Sequence, residues 1–386
     1  MLRRLFLAAV VAASTPALSA QAPQTWTVAD APSVTISHAS TAPYTVQTAR
    51  RLSDGRLVVL TAGELHFYGS GGAFQYMSGG RGVSRNAYEF VQDMLVLPGD
   101  TILSISINVG PLETREIDWL PTNGQRLAAR SVTVDQRDMD AGGWSSSLKF
   151  GSLLPNGTLL IEQWPHQREQ FPPDQLHRAV NRYAIFDPKT RAVSVLQNVM
   201  SFRESDNGIQ PLSPAEQSAV GSDRIYIGDN DTTFISAYAT DGRPLSTLTV
   251  SEAPARVTAA DLAAYQRYIT KRIAGDTVRL ARWTERYNAI PKPERYPLWG
   301  PPLVARTGEL WIAPAQFSVN REMALMAAEA GHRNVWHVFS QAGARLASIV
   351  LPDGFTPLDI GADYVLGVSY DDMRNERVEM YALTRR

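Results

Sequence analysis

Three groups of residues have the types and spacing that chemistry uses. Asp229-Asn230-Asp231, with Asp206 and Asn207 upstream, offers the hard oxygen ligands that suit calcium, and the same residues also make an Asx-rich hairpin turn leading into Thr232 to Ile235. His166 and His177, with Glu162, Glu169 and Asp174, sit among Trp164, Phe171, Pro172 and Pro173. They supply the material for a general base or a metal pair, or for an extended surface loop. The two histidines do not have zincin spacing. Arg295, Tyr296 and Trp299 lie in a proline-rich stretch, where they either line a pocket or pack that stretch onto its neighbours. The ligand-binding candidates are therefore Arg295, Tyr296, Trp299, Trp164, His166, Asp229 and Asp231. No catalytic residue and no metal site is assigned; no cofactor is called for, calcium being the one ion whose chemistry the acidic turn matches.

Whatever positions these groups is an ordinary globular chain. It has 386 residues, 44% hydrophobic and 19% charged, with 37 basic against 38 acidic side chains. That balance excludes a disordered chain and a polybasic nucleic-acid binder. The absence of cysteine removes disulfides, thiolate zinc, iron–sulfur clusters and a thiol nucleophile. There is no Gly-x-Ser-x-Gly elbow, P-loop, dinucleotide fingerprint or His-Glu-x-x-His.

Residues 1–20 read as a signal peptide: Arg3 and Arg4, the apolar stretch Leu5 to Ala13, then Pro16 and small residues up to Ala20 and Ala22. The apolar core is short of the ~20 residues a membrane span needs. The expectation is a periplasmic or secreted protein with no stable membrane anchor after cleavage, its mature part being residues 21–386.

A unit repeats along that mature part. A turn dipeptide precedes a short β-rich run at Asp54-Gly55, Gly99-Asp100, Asn156-Gly157, Ser222-Asp223, Thr307-Gly308 and Ala362-Asp363. Most of these runs are trailed by a second strand, a second turn and a third strand, as with Phe234 to Ala239, Asp241-Gly242 and Arg243 to Val250. Alternation, such as Ile225 and Ile227 against Tyr226 and Gly228, turns one side of each small sheet inward. Six antiparallel meanders cannot each bury a core alone, and radial stacking leaves only short, protected edges. The expected fold is all-β, a six-bladed β-propeller. The last unit ends at Arg386 with no room for an outermost strand, so Thr25 to Ser37, holding Trp26, Val28, Val34 and Ile36, is expected to close the ring with a strand from the other terminus.

Several stretches resemble exported bacterial six-bladed propellers of the NHL-like group. These are Asp54-Gly55-Arg56-Leu57-Val58-Val59, Gly79-Gly80-Arg81-Gly82 running on to Glu89-Phe90, Gly308-Glu309-Leu310-Trp311-Ile312, Phe339 to Leu346, and the tail from Leu351-Pro352-Asp353-Gly354-Phe355 to Val368. The resemblance covers most of the mature chain and implies an exported binding or scaffold protein rather than a reaction. The loop reading Gly82-Val83-Ser84-Arg85-Asn86 departs from that group's usual Gly-Glu-Gly-Pro-Gly form.

One interruption stands between the fourth and fifth units, residues 257–302. Thr258-Ala259-Ala260-Asp261 has capping-box spacing with Asp in place of Glu, and Leu262, Tyr265, Ile269 and Ile273 follow at helical spacing. A second amphipathic piece runs from Asp276 to Tyr287 before Pro291, Pro293, Pro297, Pro301 and Pro302 end regular structure. This insert is expected to rim or cover the channel. The functional expectation is a module that binds a small molecule, glycan or protein at one ring face, without nucleic acid. Its rival is a calcium-dependent, lactonase-like hydrolase or lyase with an ion in the central channel.

Overall fold

The computed structural model describes residues 25–37, 46–61, 63–79, 91–109, 113–121, 131–135, 144–165, 175–250, 253–316, 326–371 and 375–386. The leader reading, the Gly82 loop, His166, Glu169 and Asp174 lie outside them. The six sheets are six blades in chain order: residues 46–79, 91–135, 144–209, 216–249 and 302–350, with residues 356–385 completed by the N-terminal strands. The last blade has the order Trp26–Val28, Glu376–Arg385, Tyr364–Tyr370, Thr356–Ile360, and Val34–Ser37 pairs with another stretch of Glu376–Arg385. Strands from both termini therefore close the ring, as the missing outermost strand requires.

Six hydrophobic clusters fill the six seams between adjacent blades. Because each blade is sandwiched, both faces of its second strand are buried, and Leu57–Thr61 is buried throughout. Ile225 and Ile227 face blade 3 while Tyr226 faces blade 5. The expectation of one inward side thus gives way to two, because a blade has a neighbour on each face.

The first strand of each blade is innermost, and the first strands of blades 1 to 5 in turn, and of blades 6 and 1, lie against one another around the axis. These strands had no clear sequence pattern. Pro302–Val304 and Thr356–Ile360 are short and contain proline, while Val46–Arg51 and Val91–Val96 carry Arg50 and Asp93. Antiparallel pairing then places the turns after first and third strands at one end of the ring. There the chain uses glycines with positive φ, such as Gly55, Gly157, Gly242, Gly308 and Gly343. Gly157 also tucks under the Trp119 ring of blade 2, where a Cβ would overlap the indole. Gly157→Ala is expected to cost about 1–3 kcal/mol through backbone strain and this overlap, read as a lower urea midpoint at unchanged slope.

The other end carries most of the longer connections, the ten residues that join Leu120 to Ser131 in blade 2 being the exception. They include residues 250–301, with helices α1 (Ala259–Arg272) and α2 (Thr277–Ala289), the return from Ile312 to Val335 in blade 5, and the extension of blade 3 around Gly208–Ile209. Both helices start where the sequence places them. Thr258 caps α1 in a reciprocal box with Asp261, and Asp276 caps α2 by accepting from Arg279 N. No helix among the described residues is long and apolar enough to cross a membrane.

Candidate functional site

The two ends of the ring differ chemically near the axis. At the tight-turn end, buried Asp359 of blade 6 accepts from Arg306 Nε and Nη2 of blade 5, both at 2.8 Å. It also accepts from Arg51 N of blade 1 at 2.9 Å and Tyr364 Oη at 2.8 Å. Burial, then the Asp359 carboxylate, pushes the Tyr364 hydroxyl well above the usual phenol range, so it remains a donor. Ser53 N and Oγ donate to Asp100 in the next turn, and Arg50 Nη1 donates to Leu358 O across the join of blades 1 and 6. Every acceptor of this knot is used, so it serves as a structural tie across blades 5, 6 and 1. Further along the axis, burial raises the Asp93 carboxyl, opposed by the Arg50 charge and by donation from the Met94 and Leu153 amides.

The long-connection end has polar groups with capacity to spare. In the seam between blades 3 and 4, Glu162 Oε1 accepts from Trp164 Nε1 at 2.7 Å and from Asn181 Nδ2 at 2.9 Å. Asn181 Nδ2 also reaches Glu216 Oε1 at 3.4 Å. Glu216 opens the innermost strand of blade 4, and burial first, then the neighbouring Glu162 carboxylate, pushes its pKa up to about 7. Its Oε2 is buried and accepts no hydrogen bond of ordinary geometry, while Glu162 and Ser201 lie beside the carboxyl. The same burial and the same two carboxylates raise the Tyr183 hydroxyl well above its ordinary value. One carboxyl that keeps its proton near neutrality beside a second is the arrangement used to hold or hand over a proton.

The acidic turn is engaged differently. Arg178 binds Asp229 through both terminal nitrogens, at 2.7 and 2.9 Å, and reaches Asp231 at 3.3 Å, while Arg203 donates to Asp231 at 2.8 Å. Asn230 accepts from Ala215 N and donates to Trp299 O. These carboxylates tie the blade 3 extension to blade 4. Among the described residues no group of three or more His, Asp or Glu side chains is arranged to hold a metal ion. His177 lies 3.9 Å from Glu204, and Glu162 is engaged by Trp164, Asn181 and Glu216.

The insert candidates divide. Trp299 is only 1% exposed, fills the blade 4–blade 5 seam over Gly228 and donates its indole N–H to Thr232 O at 2.8 Å. Tyr296 is buried edge-on against His332, and Arg295 is exposed beside Arg256 on the neck of the insert. His332 Nε2, in the long connection of blade 5, lies 2.6 Å from Asp261 Oδ1. Burial alone would raise the Asp261 carboxyl, but donation from Thr258 and His332 outweighs it and holds the group below its ordinary value. The Glu162–Glu216 and Asp261–His332 pairs were missed because their members are far apart in the chain. The one local signal was Trp164 two positions beyond Glu162, on the same side of its strand.

No protein-family model matches the chain, and no curated protein matches its sequence. Solved structures are similar over most of its length. A member of the DUF4221 family from Bacteroides vulgatus has TM-score 0.48 and 9% identity, covering 94% of this chain and 98% of that one. A protein from Bacteroides fragilis has TM-score 0.42 and 10% identity, covering 96% and 97%. A gluconolactonase from Xanthomonas campestris has TM-score 0.41 and 12% identity, covering 95% and 99%. Likeness at this level assigns no activity; the strand order of the chain itself makes it a six-bladed β-propeller.

Proposed function

We propose that this is an exported propeller, periplasmic or secreted, that binds a small molecule, glycan or protein on its long-connection face, above blades 3 to 5. The observation that carries this is the division between the ends of the ring. The tight-turn end closes on a saturated Arg306–Asp359–Arg51 knot. The opposite end gathers the helical insert, the blade 3 extension and the Glu162–Glu216 carboxyl pair. Ligand sites favour irregular connections held by a rigid frame. The leader-like composition of residues 1–20 supports export.

The test is a thermal-shift panel of small molecules and oligosaccharides on the chain from Gln21 onward, repeated on two charge reversals at exposed arginines. Arg295→Glu lies on the long-connection face and Arg243→Glu in a tight turn. A ligand-dependent rise in midpoint should weaken with the first and persist with the second; the reverse pattern would overturn the assignment.

The rival reading, a calcium-dependent hydrolase or lyase, makes its own prediction in the same assay. It requires a clear rise in midpoint from EDTA to excess calcium. Asp229 and Asp231 are committed to Arg178 and Arg203, and the described residues gather no group of three or more His, Asp or Glu side chains arranged to hold a metal ion, around the channel or elsewhere, so no such rise is expected.

A further inference from the structure

We infer that the helical insert is a lid that swings on a narrow neck and is latched to the ring by the Asp261–His332 pair. This rests on the reading of the long-connection face as the working one, and four observations support it.

The insert hangs from a short antiparallel ladder. Val257 N donates to Glu294 O, Tyr296 N donates to Ala255 O, and Arg256 bridges Arg295. Rotation about the few residues on either side of that ladder moves everything beyond it together.

Beyond the neck, the insert is internally stiff. The Trp283 and Tyr287 rings stack at 4.9 Å and the Tyr265 and Tyr287 rings at 6.2 Å, and the Lys292 ammonium sits 4.0 Å over the Tyr287 ring. Tyr287 Oη also reaches Leu262 O, joining α2 to α1.

The helices bury little. Only Asp261 and Ala264 of α1 and Tyr287 of α2 are buried, and Val278 is 69% exposed. A segment with so little buried apolar surface opens at far lower cost than the blades do.

Among the described residues, two sets of contacts near its ends join the insert to the ring. On the blade 5 side, Asp261 meets His332 at 2.6 Å and also engages the Tyr296 hydroxyl, whose ring lies edge-on to the imidazole, and a longer Arg267–Glu329 pair stands at 3.9 Å. On the blade 3 side, Gln210 Nε2 donates to Pro291 O at 2.9 Å, next to buried Ile290. The closed insert therefore crosses blade 4 from blade 5 to blade 3, the two blades that bound the Glu162–Glu216 seam and its neighbour. Asp261 has a double role, since the carboxylate that accepts from Thr258 N in the capping box of α1 also accepts from His332.

The test is amide hydrogen exchange on the chain from Gln21 onward, which needs no ligand, so its outcome is independent of whether the binding assignment holds. In the wild type, residues 259–289 should exchange faster than the second strands of the blades. A hydrogen bond involving an ionised group contributes roughly 1.5–3 kcal/mol, so His332→Ala should accelerate exchange across α1 and α2 roughly ten- to hundredfold and leave the blade strands unchanged. His332→Gln, which retains a donor for Asp261, should restore much of the protection. Unchanged exchange in the insert with His332→Ala, or equal acceleration in the strands of blade 5, would overturn the latch.

Discussion

Trp26→Ala should lower the unfolding free energy of the chain by about 3–5 kcal/mol, the usual cost of truncating a large buried aromatic. Trp26 lies in a strand of only three residues, yet it is 5% exposed, its ring is 6.0 Å from that of Trp311, and the Arg385 guanidinium sits 4.4 Å over its face. Its strand pairs with Leu383–Arg385, and Arg386 N donates to Thr25 O. The alanine variant therefore loses packing in the blade 5–blade 6 seam and exposes an edge of the closing strand. Urea titration at equilibrium measures this, with Phe74→Ala as the control. Phe74 is 57% exposed on an outermost strand, and its truncation should stay within about 0.5 kcal/mol. A Trp26→Ala cost below about 1 kcal/mol would mean that the N-terminal strands do not carry the closure.

Glu216→Gln should stabilise the protein at alkaline pH, although it removes a charge from a polar cluster. With its pKa raised from 4.5 to about 7 in the folded state, Glu216 binds more protons folded than unfolded between those values. Stability contributed by this group thus falls as pH rises from about 4.5 to about 7, and the penalty is complete above that window. The glutamine variant carries no such penalty, so it should match the wild type near pH 5 and exceed it at pH 8. Denaturant midpoints across that range decide the matter. Parallel pH profiles for the two proteins would show that Glu216 is solvated and ionised like a surface carboxylate, and the proton-holding role would fail.

The ring was legible because its most repetitive feature is under strict local constraint. Turns at Gly55, Gly157, Gly242, Gly308 and Gly343 need positive φ, which a sequence shows as a glycine at a recurring place before a β-rich run. The capping residues Thr258 and Asp276 are equally local, and both helices begin at them. The innermost strands were not legible, since a strand lining an axis has no apolar periodicity to display. The Glu162–Glu216 and Asp261–His332 pairs failed to show for a related reason: each is assembled across two blades or across an insert and a loop. Glu162 attracted attention through nearby histidines, but its partners came from Asn181 on the next strand and Glu216 on the next blade. Asp229 and Asp231 looked like oxygen ligands because the arginines that occupy them, Arg178 and Arg203, lie on the preceding blade.

Soaking crystals of the chain from Gln21 onward with a library of small polar and aromatic fragments, and locating where they bind, reads out which face of the ring works. Occupancy is expected at the long-connection end, around the Glu162–Glu216 seam, Trp164 and the neck at Arg295. Fragments gathering at the tight-turn end, around Arg306, Asp359 and Arg51, with none at the opposite face, would contradict that assignment.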